Sequence, residues 1–249
     1  MAISKGIIKF TGTIDGISFY KSKHGWIVRK AGGPDPEKMK KGKTFARTRE
    51  NGKEFGACGK AVGQVRRALL PLLKESGDFR MVSRLTKVFM QIKNLDTISL
   101  RGKRNVSAGL ELKEGKELLE GFEFNSEANI DNLLKKDYLL KSSSGVIQIK
   151  ELVAKKDLKS PKGSTHVGFK SIVLRIDFTK EQFEIQTSTM KRLALNSTST
   201  TLVLKPNALI LEEGFTLCLL QICFYQELNG QDYRMRNAEF NGMRVVGVF

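Results

Sequence analysis

Histidine and cysteine are scarce in this chain, two and three in 249 residues. Two histidines separated by about 140 positions, His24 and His166, leave little material for an imidazole-based catalytic centre or a zinc site. Cys58 stands alone, and Cys218 and Cys223 lie in one apolar run, with no CxxC spacing. Buried free thiols are the expected state. If 218–223 is one regular strand, Cys218 and Cys223 face opposite sides. The most apolar stretch, Phe215–Tyr225, is far short of the ~20 residues of a membrane-spanning helix. The first residues do not read as a signal peptide, so composition alone makes the cytoplasm the default address. Among nucleotide motifs, Lys41-Gly42-Lys43-Thr44 has the end of a phosphate loop, but Glu37 stands where that loop needs glycine. No cofactor is expected, and the scarcity of chemistry-bearing patterns points away from an enzyme.

Positive charge, by contrast, is abundant and unevenly placed. The chain carries 43 Lys and Arg against 26 Asp and Glu, a net charge of +17. Residues 1–110 hold 24 of the cations and 8 of the acids, whereas residues 111–249 are almost balanced at 19 and 18. Such asymmetry suggests an anionic partner for the first part, or a solubilising face. The candidates for a partner interface are Arg47, Arg49, Arg66, Arg67, Arg80, Arg84, Arg101, Lys103 and Arg104. The cluster Arg101, Lys103 and Arg104 must meet solvent, an acidic partner or internal carboxylates such as Glu111 and Glu114.

The patterning predicts an α+β chain. An N-terminal three-stranded β-meander is expected from Ile8, Phe10 and Ile14, the Asp15-Gly16 hairpin signal, the alternation after Ile17, a second turn at Lys23-His24-Gly25 and a strand over Trp26–Lys30. Apolar residues then recur at helical spacing through Phe45, Phe55, Val62 and Leu69, with an interruption or kink expected at Pro71. Asp78 is the expected N-cap of an amphipathic helix bearing Met81, Leu85, Val88, Phe89 and Ile92, with Lys93 off its apolar stripe. Phe45, Phe55, Phe79 and Phe89 fall at core-like positions, which argues against bases stacking among the cations. Gly52, Gly56, Gly59 and Gly63 share one helical face. Their cost, about 0.8–1 kcal/mol each against alanine, calls for a helix or sheet packed closely on that stripe, unless the helix is broken there. From about residue 121 the alternation of apolar residues and the Asn229-Gly230 turn predict a C-terminal antiparallel β-sandwich. The expected domains are 1–120, basic meander plus helices, and 121–249, the sandwich.

Several segments together carry a resemblance: Gly6-Ile7-Ile8-Lys9, Ser18-Phe19-Tyr20-Lys21, Phe45 through Gly56, Arg80 through Leu85, Arg101 through Val106, Leu119 through Asn125, and Phe224 through Gly230. In combination they resemble a basic family of about this length from gliding, type IX-secreting bacteria. The resemblance implies a non-catalytic subunit of the type IX protein secretion translocon that plugs the periplasmic opening of its outer-membrane barrel. It implies the barrel and its associated subunits as partners, the periplasmic face of the outer membrane as location, and no small-molecule substrate. A nucleic-acid-associated binding protein, using the basic part as an electrostatic footprint, is the alternative from the residues alone.

Overall fold

A computed structural model describes residues 2–3, 11–23, 25–73 and 78–249. Residues Ile8, Phe10 and His24, and the Ser76-Gly77 break, lie outside the described residues. The chain divides into two compact units, Met1–Glu50 and Asn51–Phe249.

The first unit is built on β2 (Gly12–Ile14), β3 (Ile17–Ser22) and β4 (Gly25–Lys30), which pair antiparallel in sequence order; the two-residue β1 (Ala2–Ile3) adds to the far side of β4. Asp15 and Gly16 both take positive φ, 47° and 72°, so the expected hairpin closes through a type I′ turn. A short helix, α1 (Pro36–Lys41), follows; Asp35 caps it by accepting from the Glu37 backbone N–H.

The second unit contains most of α2 (Ala46–Leu73), then α3 (Met81–Asn94), α4 (Val106–Glu111), α5 (Lys113–Leu119) and α6 (Ile130–Leu133). These are followed by β5 (Leu139–Lys141), β6 (Val146–Leu152), α7 (Ala154–Asp157), β7 (His166–Asp177), β8 (Gln182–Thr187), β9 (Lys191–Ala194), β10 (Thr200–Leu204), β11 (Phe215–Leu228), β12 (Gln231–Arg234) and β13 (Gly242–Val248). The C-terminal strands form a curled antiparallel sheet, a half-barrel, giving a mixed α+β chain. Its centre is the β7–β11 ladder, in register from Phe215 opposite Ile176 to Tyr225 opposite His166. Each long strand has its outer edge shared end to end by two short ones: β13 and β12 along β11, β8 and β9 along β7. The β11–β12 hairpin turns at Asn229 and Gly230, with φ of 54° and 76°, as its sequence predicts.

Both faces of the ladder are covered. Ile172, Leu174, Ile176, Leu217 and Leu219 belong to one apolar cluster with Val62, Val65 and Leu69 of α2 and Leu85, Phe89 and Ile92 of α3. Val167, Phe169, Leu220, Ile222 and Phe224 point to the other side and share a second cluster with Ile147, Ile149, Leu202 and Leu204 of the small β10–β6–β5 sheet. Double coverage is why β11 is an almost unbroken apolar run rather than an alternating one. Full burial of a side chain such as Phe89 contributes about 1.5–3 kcal/mol.

Three expectations are corrected here. The division at residue 120 is not seen: one core runs from Cys58 to Val248, because the apolar stripe of the helices packs on the sheet, and the division falls at Glu50–Asn51. Helix α2 is not interrupted at Pro71 but continues to Leu73. Asp78 is not the N-cap of α3; that position is Arg80, and Asp78 instead accepts from the Arg80 N–H in the turn before it. The cysteines match expectation: all three are free and buried, with Cys218 opposite Val173 and Cys223 opposite Gly168, on different faces.

The glycine stripe is corrected as well. A Cβ added at Gly52, Gly56 or Gly59 would meet nothing within 4 Å, and at Gly63 only the flexible end of Arg67. The glycines that permit close helix packing are Gly109 and Gly115. A methyl at Gly109 would strike the Ile92 carbonyl of α3, and one at Gly115 the Gly109 carbonyl of α4. The contrast is testable. Replacing Gly52, Gly56 and Gly59 together by alanine is expected to stabilise by roughly 2–3 kcal/mol, raising Tm by roughly 5–10 °C, whereas Gly109→Ala lowers it. Thermal unfolding followed by circular dichroism reads both.

Candidate binding surface

The outer side of α2 and α3 is where the sequence-predicted cations gather. Helix α2 buries Glu54, Cys58, Ala61, Val62, Val65 and Leu69 on one stripe. At ~3.6 residues per turn this leaves Phe55, the four glycines and Lys53, Lys60, Arg66 and Arg67 on the outside. Helix α3 buries Met81, Leu85, Phe89 and Ile92. Its outer face, with Phe55 of α2, lines a groove of about 700 Å³ that includes Phe79, Val82, Lys87 and Met90. Phe55 is 56% exposed and Phe79 83%. Both were expected at core-like positions, and the structure places them outside; only Phe89 of that set is fully buried, while Phe45 is partly covered. The Arg80 guanidinium lies 5.3 Å from the centre of the Phe79 ring, a cation–π distance.

The acids of this region are turned inward. Glu54, 1% exposed at its side chain, accepts from Lys93 Nζ at 2.6 Å, from Arg104 Nε and Nη2 at 2.9 Å each, and from the Gly102 N–H at 2.8 Å. Arg104 first, then Lys93 and the backbone N–H, outweigh burial and hold the Glu54 carboxyl down to about 2. Asp78 accepts from Arg84 Nη2 at 2.6 Å, from the Arg80 N–H, and from the N–H and hydroxyl of Ser126. Burial opposes the Asp78 charge, yet Arg84 and these backbone donors keep its carboxyl below the usual range. Asp96 is buried and receives the N–H groups of Ile98, Ser99 and Asn105; burial opposes its charge, and those donors likewise prevail. Among the described residues of 51–104 these are all the carboxylates, and none faces solvent. Lys53, Lys60, Arg66, Arg67, Arg80, Lys87, Arg101 and Lys103 do.

The predicted interface residues therefore separate. Arg66, Arg67, Arg80, Arg101 and Lys103 are exposed on the second unit. Arg84 and Arg104 are tied to Asp78 and Glu54, and Arg84 also lies over the Phe122 ring at 5.0 Å. Within the 101–104 cluster, Arg104 and the Gly102 N–H have Glu54 as their internal partner, and Glu111 and Glu114 are exposed. In the first unit, Arg49 donates to the carbonyls of Met39 and Gly42, and Arg47 lies 3.7 Å from Glu50. Lys93 is buried beside Ile92 rather than lying off the apolar stripe.

Two further polar groupings arise from tertiary pairing. His166, Glu227 and Asp232 meet on one sheet face, with His166 Nδ1 3.8 Å from Glu227 Oε2 and 3.7 Å from Asp232 Oδ1. They are a possible ligand set for a divalent cation, but Arg192 already neutralises Asp232 at 2.8 Å and Thr165 Oγ1 lies 2.9 Å from the same Nδ1. The Asn229-Gly230 turn makes the Glu227–Asp232 pair legible in the sequence; the arrival of His166 is not. Glu123, mostly buried, accepts from the Ile130 N–H and lies 3.7 Å from Arg244, while its Oε2 has no hydrogen-bond partner. Burial, opposed by that N–H and by Arg244, pushes its carboxyl up to about 7.

Two predictions follow from these opposite shifts. Glu54→Gln leaves Lys93 and Arg104 without their counter-charge and is expected to cost about 3–5 kcal/mol, seen as a large drop in Tm. Arg104→Glu also lowers Tm, whereas Lys103→Glu leaves it unchanged. For pH, the depressed Glu54 carboxyl stabilises the fold above its unfolded value near 4.5, and that contribution is lost as pH falls toward about 2. The raised Glu123 carboxyl works the other way: it costs stability progressively as pH rises from about 4.5 through about 7. Glu123→Gln is thus expected to raise Tm at pH 8 and to flatten the Tm profile between pH 5 and 8, measured by differential scanning calorimetry. Against known proteins, no family model, no curated protein and no solved structure matches this chain.

Proposed function

We propose that this chain is a non-catalytic subunit of the type IX protein secretion translocon, closing the periplasmic opening of its outer-membrane barrel by reversible docking. The resemblance in the sequence supplies the system and the location. The observation that carries the reading is the outer face of α2 and α3, where Lys53, Lys60, Arg66, Arg67 and Lys87 are exposed while Glu54, Asp78 and Asp96, the described carboxylates of residues 51–104, are turned inward. Such a face is suited to a hydrated, charge-complementary contact that forms quickly and releases, rather than to a permanent apolar seal. A body of this size can also present a standard interface of about 800 Å² per partner. In this proposal the small β10–β6–β5 sheet serves as the second layer of a β-sandwich with the large one, supported by the apolar cluster they share, and gives the plug a rigid body.

The decisive experiment is electrical. The barrel complex is purified with and without this chain and reconstituted in planar bilayers. Removal of the chain is expected to open a large ion conductance, and adding it back to close it. Equal conductance in both preparations overturns the proposal, as does cell fractionation that finds the chain only in the cytoplasm.

A second reading, a nucleic-acid-associated protein, is favoured by Phe55 and Phe79, because exposed aromatics among cations are what base stacking requires. It demands affinity for single strands that falls by orders of magnitude between about 50 and 200 mM salt.

A further inference from the structure

Where the β7–β11 ladder ends, a hollow of about 290 Å³ opens between the two sheets of the second unit. Val173 and Arg175 of β7 and Thr216 of β11 line it from the large sheet. The Ser142–Gly145 turn, which joins β5 to β6, and the segment 205–209 after β10 line it from the small one. The volume is at the lower limit of ordinary ligand pockets, about 300–1,000 Å³, and the mouth of a barrel is one of their usual places.

The walls are fixed before any ligand arrives. Ser171 donates its hydroxyl to the Gly145 carbonyl at 2.7 Å, and a Cβ at Gly145 would strike the Val173 side chain, so the turn sits tightly on β7. Arg175 is held by three bonds: Nε donates to Thr216 Oγ1 at 3.0 Å, and Nη1 to the carbonyls of Leu211 and Glu212 at 2.6 and 3.2 Å. Its Nη2 has no acceptor among the described residues. Thr216 is 7% exposed, and its hydroxyl, having accepted from Arg175, keeps its own proton to donate. Lys205 is exposed and has no ion-pair partner among the described residues. Arg175 and Lys205 are the charged residues of the lining, and no carboxylate belongs to it. Glu184, opposite Arg175 on β8, feels its charge, but it accepts from Gln186 at Oε1 and from the Ile210 and Leu211 N–H groups at Oε2.

We propose that this hollow binds a small organic carboxylate. Its charged end is received by Arg175 Nη2, the Thr216 hydroxyl and Lys205, and its aliphatic body rests on Val146, Val173 and Leu209. Two of the three donors already stand bonded side by side, which lowers the ordering cost of binding. With Nε and Nη1 spent, the guanidinium cannot offer a two-nitrogen fork, and Lys205 supplies the second contact instead. The apolar part of the wall selects against an inorganic anion, which would leave Val146, Val173 and Leu209 without contact. A neutral ligand would leave the two cations uncompensated. None of these residues lies on α2 or α3, so ligand binding here and docking through that face are separable.

The test is a titration of the full isotope-labelled chain followed by amide NMR. The probes are isobutyrate, isovalerate and isocaproate, each beside its primary amide as a neutral isostere, with inorganic phosphate as a bare anion. At least one acid is expected to bind, with its largest shifts at Gly145, Val173 and Thr216, and its amide about tenfold more weakly. Lys205→Glu is expected to weaken binding by about tenfold as well, with Tm unchanged because this side chain is exposed. Arg175→Gln abolishes binding, but it also lowers Tm by releasing the 211–212 segment, so Lys205→Glu is the variant that separates recognition from folding. The proposal is overturned if no acid binds, if the amides or phosphate bind as tightly as the acids, or if Lys205→Glu binds like the parent chain. It is overturned equally if the shifts gather on α2 and α3, since the acids would then be following the exposed cations there.

Discussion

Glu54 neutralises two cations and a backbone N–H in the interior of the second unit, and the character of the whole helical side depends on it. Its carboxylate joins α2 to the end of α3 and to the loop at 101–104, so a segment rich in like charges is fastened from within. A buried charge of this kind is tolerated only when every lone pair is used, and here four donors converge on two oxygens. Asp78 and Asp96 do the same at other junctions. Since Glu54, Asp78 and Asp96 are consumed in holding the helices together, none of the described carboxylates of residues 51–104 faces solvent, whereas Lys53, Lys60, Arg66, Arg67 and Lys87 do. Architecture and surface field are one result of the same placement.

The β7–β11 ladder imposes the second constraint. A sheet buried on one side alternates; this one is covered by helices toward one end and by a small sheet on the opposite face. The helical segment therefore has no apolar core independent of the sheet, and residues 51–120 fold as part of the C-terminal body rather than as a partner to the meander.

What the sequence disclosed follows from range. The Asp15-Gly16 and Asn229-Gly230 turns are local, dictated by the positive φ that two consecutive residues must adopt, and the strand after Asp15-Gly16 is readable from alternation. The apolar run Leu217–Leu228 announced a long strand, which in the structure begins two residues earlier, at Phe215. The error in α2 was one of phase. Taking Phe45, Gly52, Phe55 and Gly59 as the packed stripe rotates the helix by about one residue, which turns Phe55 and the glycines inward and Glu54 outward. The spacing Glu54, Cys58, Ala61, Val65, Leu69 is equally periodic, and a charged residue at its head made it the less obvious choice. That Glu was itself the signal, since a carboxylate in register with an apolar stripe requires a buried cation, and Arg104 lies 50 positions away. The glycines that matter for packing, Gly109 and Gly115, sit in two short helices whose mutual approach no local pattern encodes.

The cysteines have a consequence at a different level. Cys58, Cys218 and Cys223 are enclosed, two of them on opposite faces of one strand, and burial pushes their thiols up, Cys218 to about 11 and Cys223 to about 12. Thiolate, the reactive form, is then negligible at neutral pH, and no oxidant reaches the sulfurs without unfolding the core. The covalent structure is accordingly the same in a reducing or an oxidising compartment. A chain of this design folds in either with no disulfide to form, break or reshuffle.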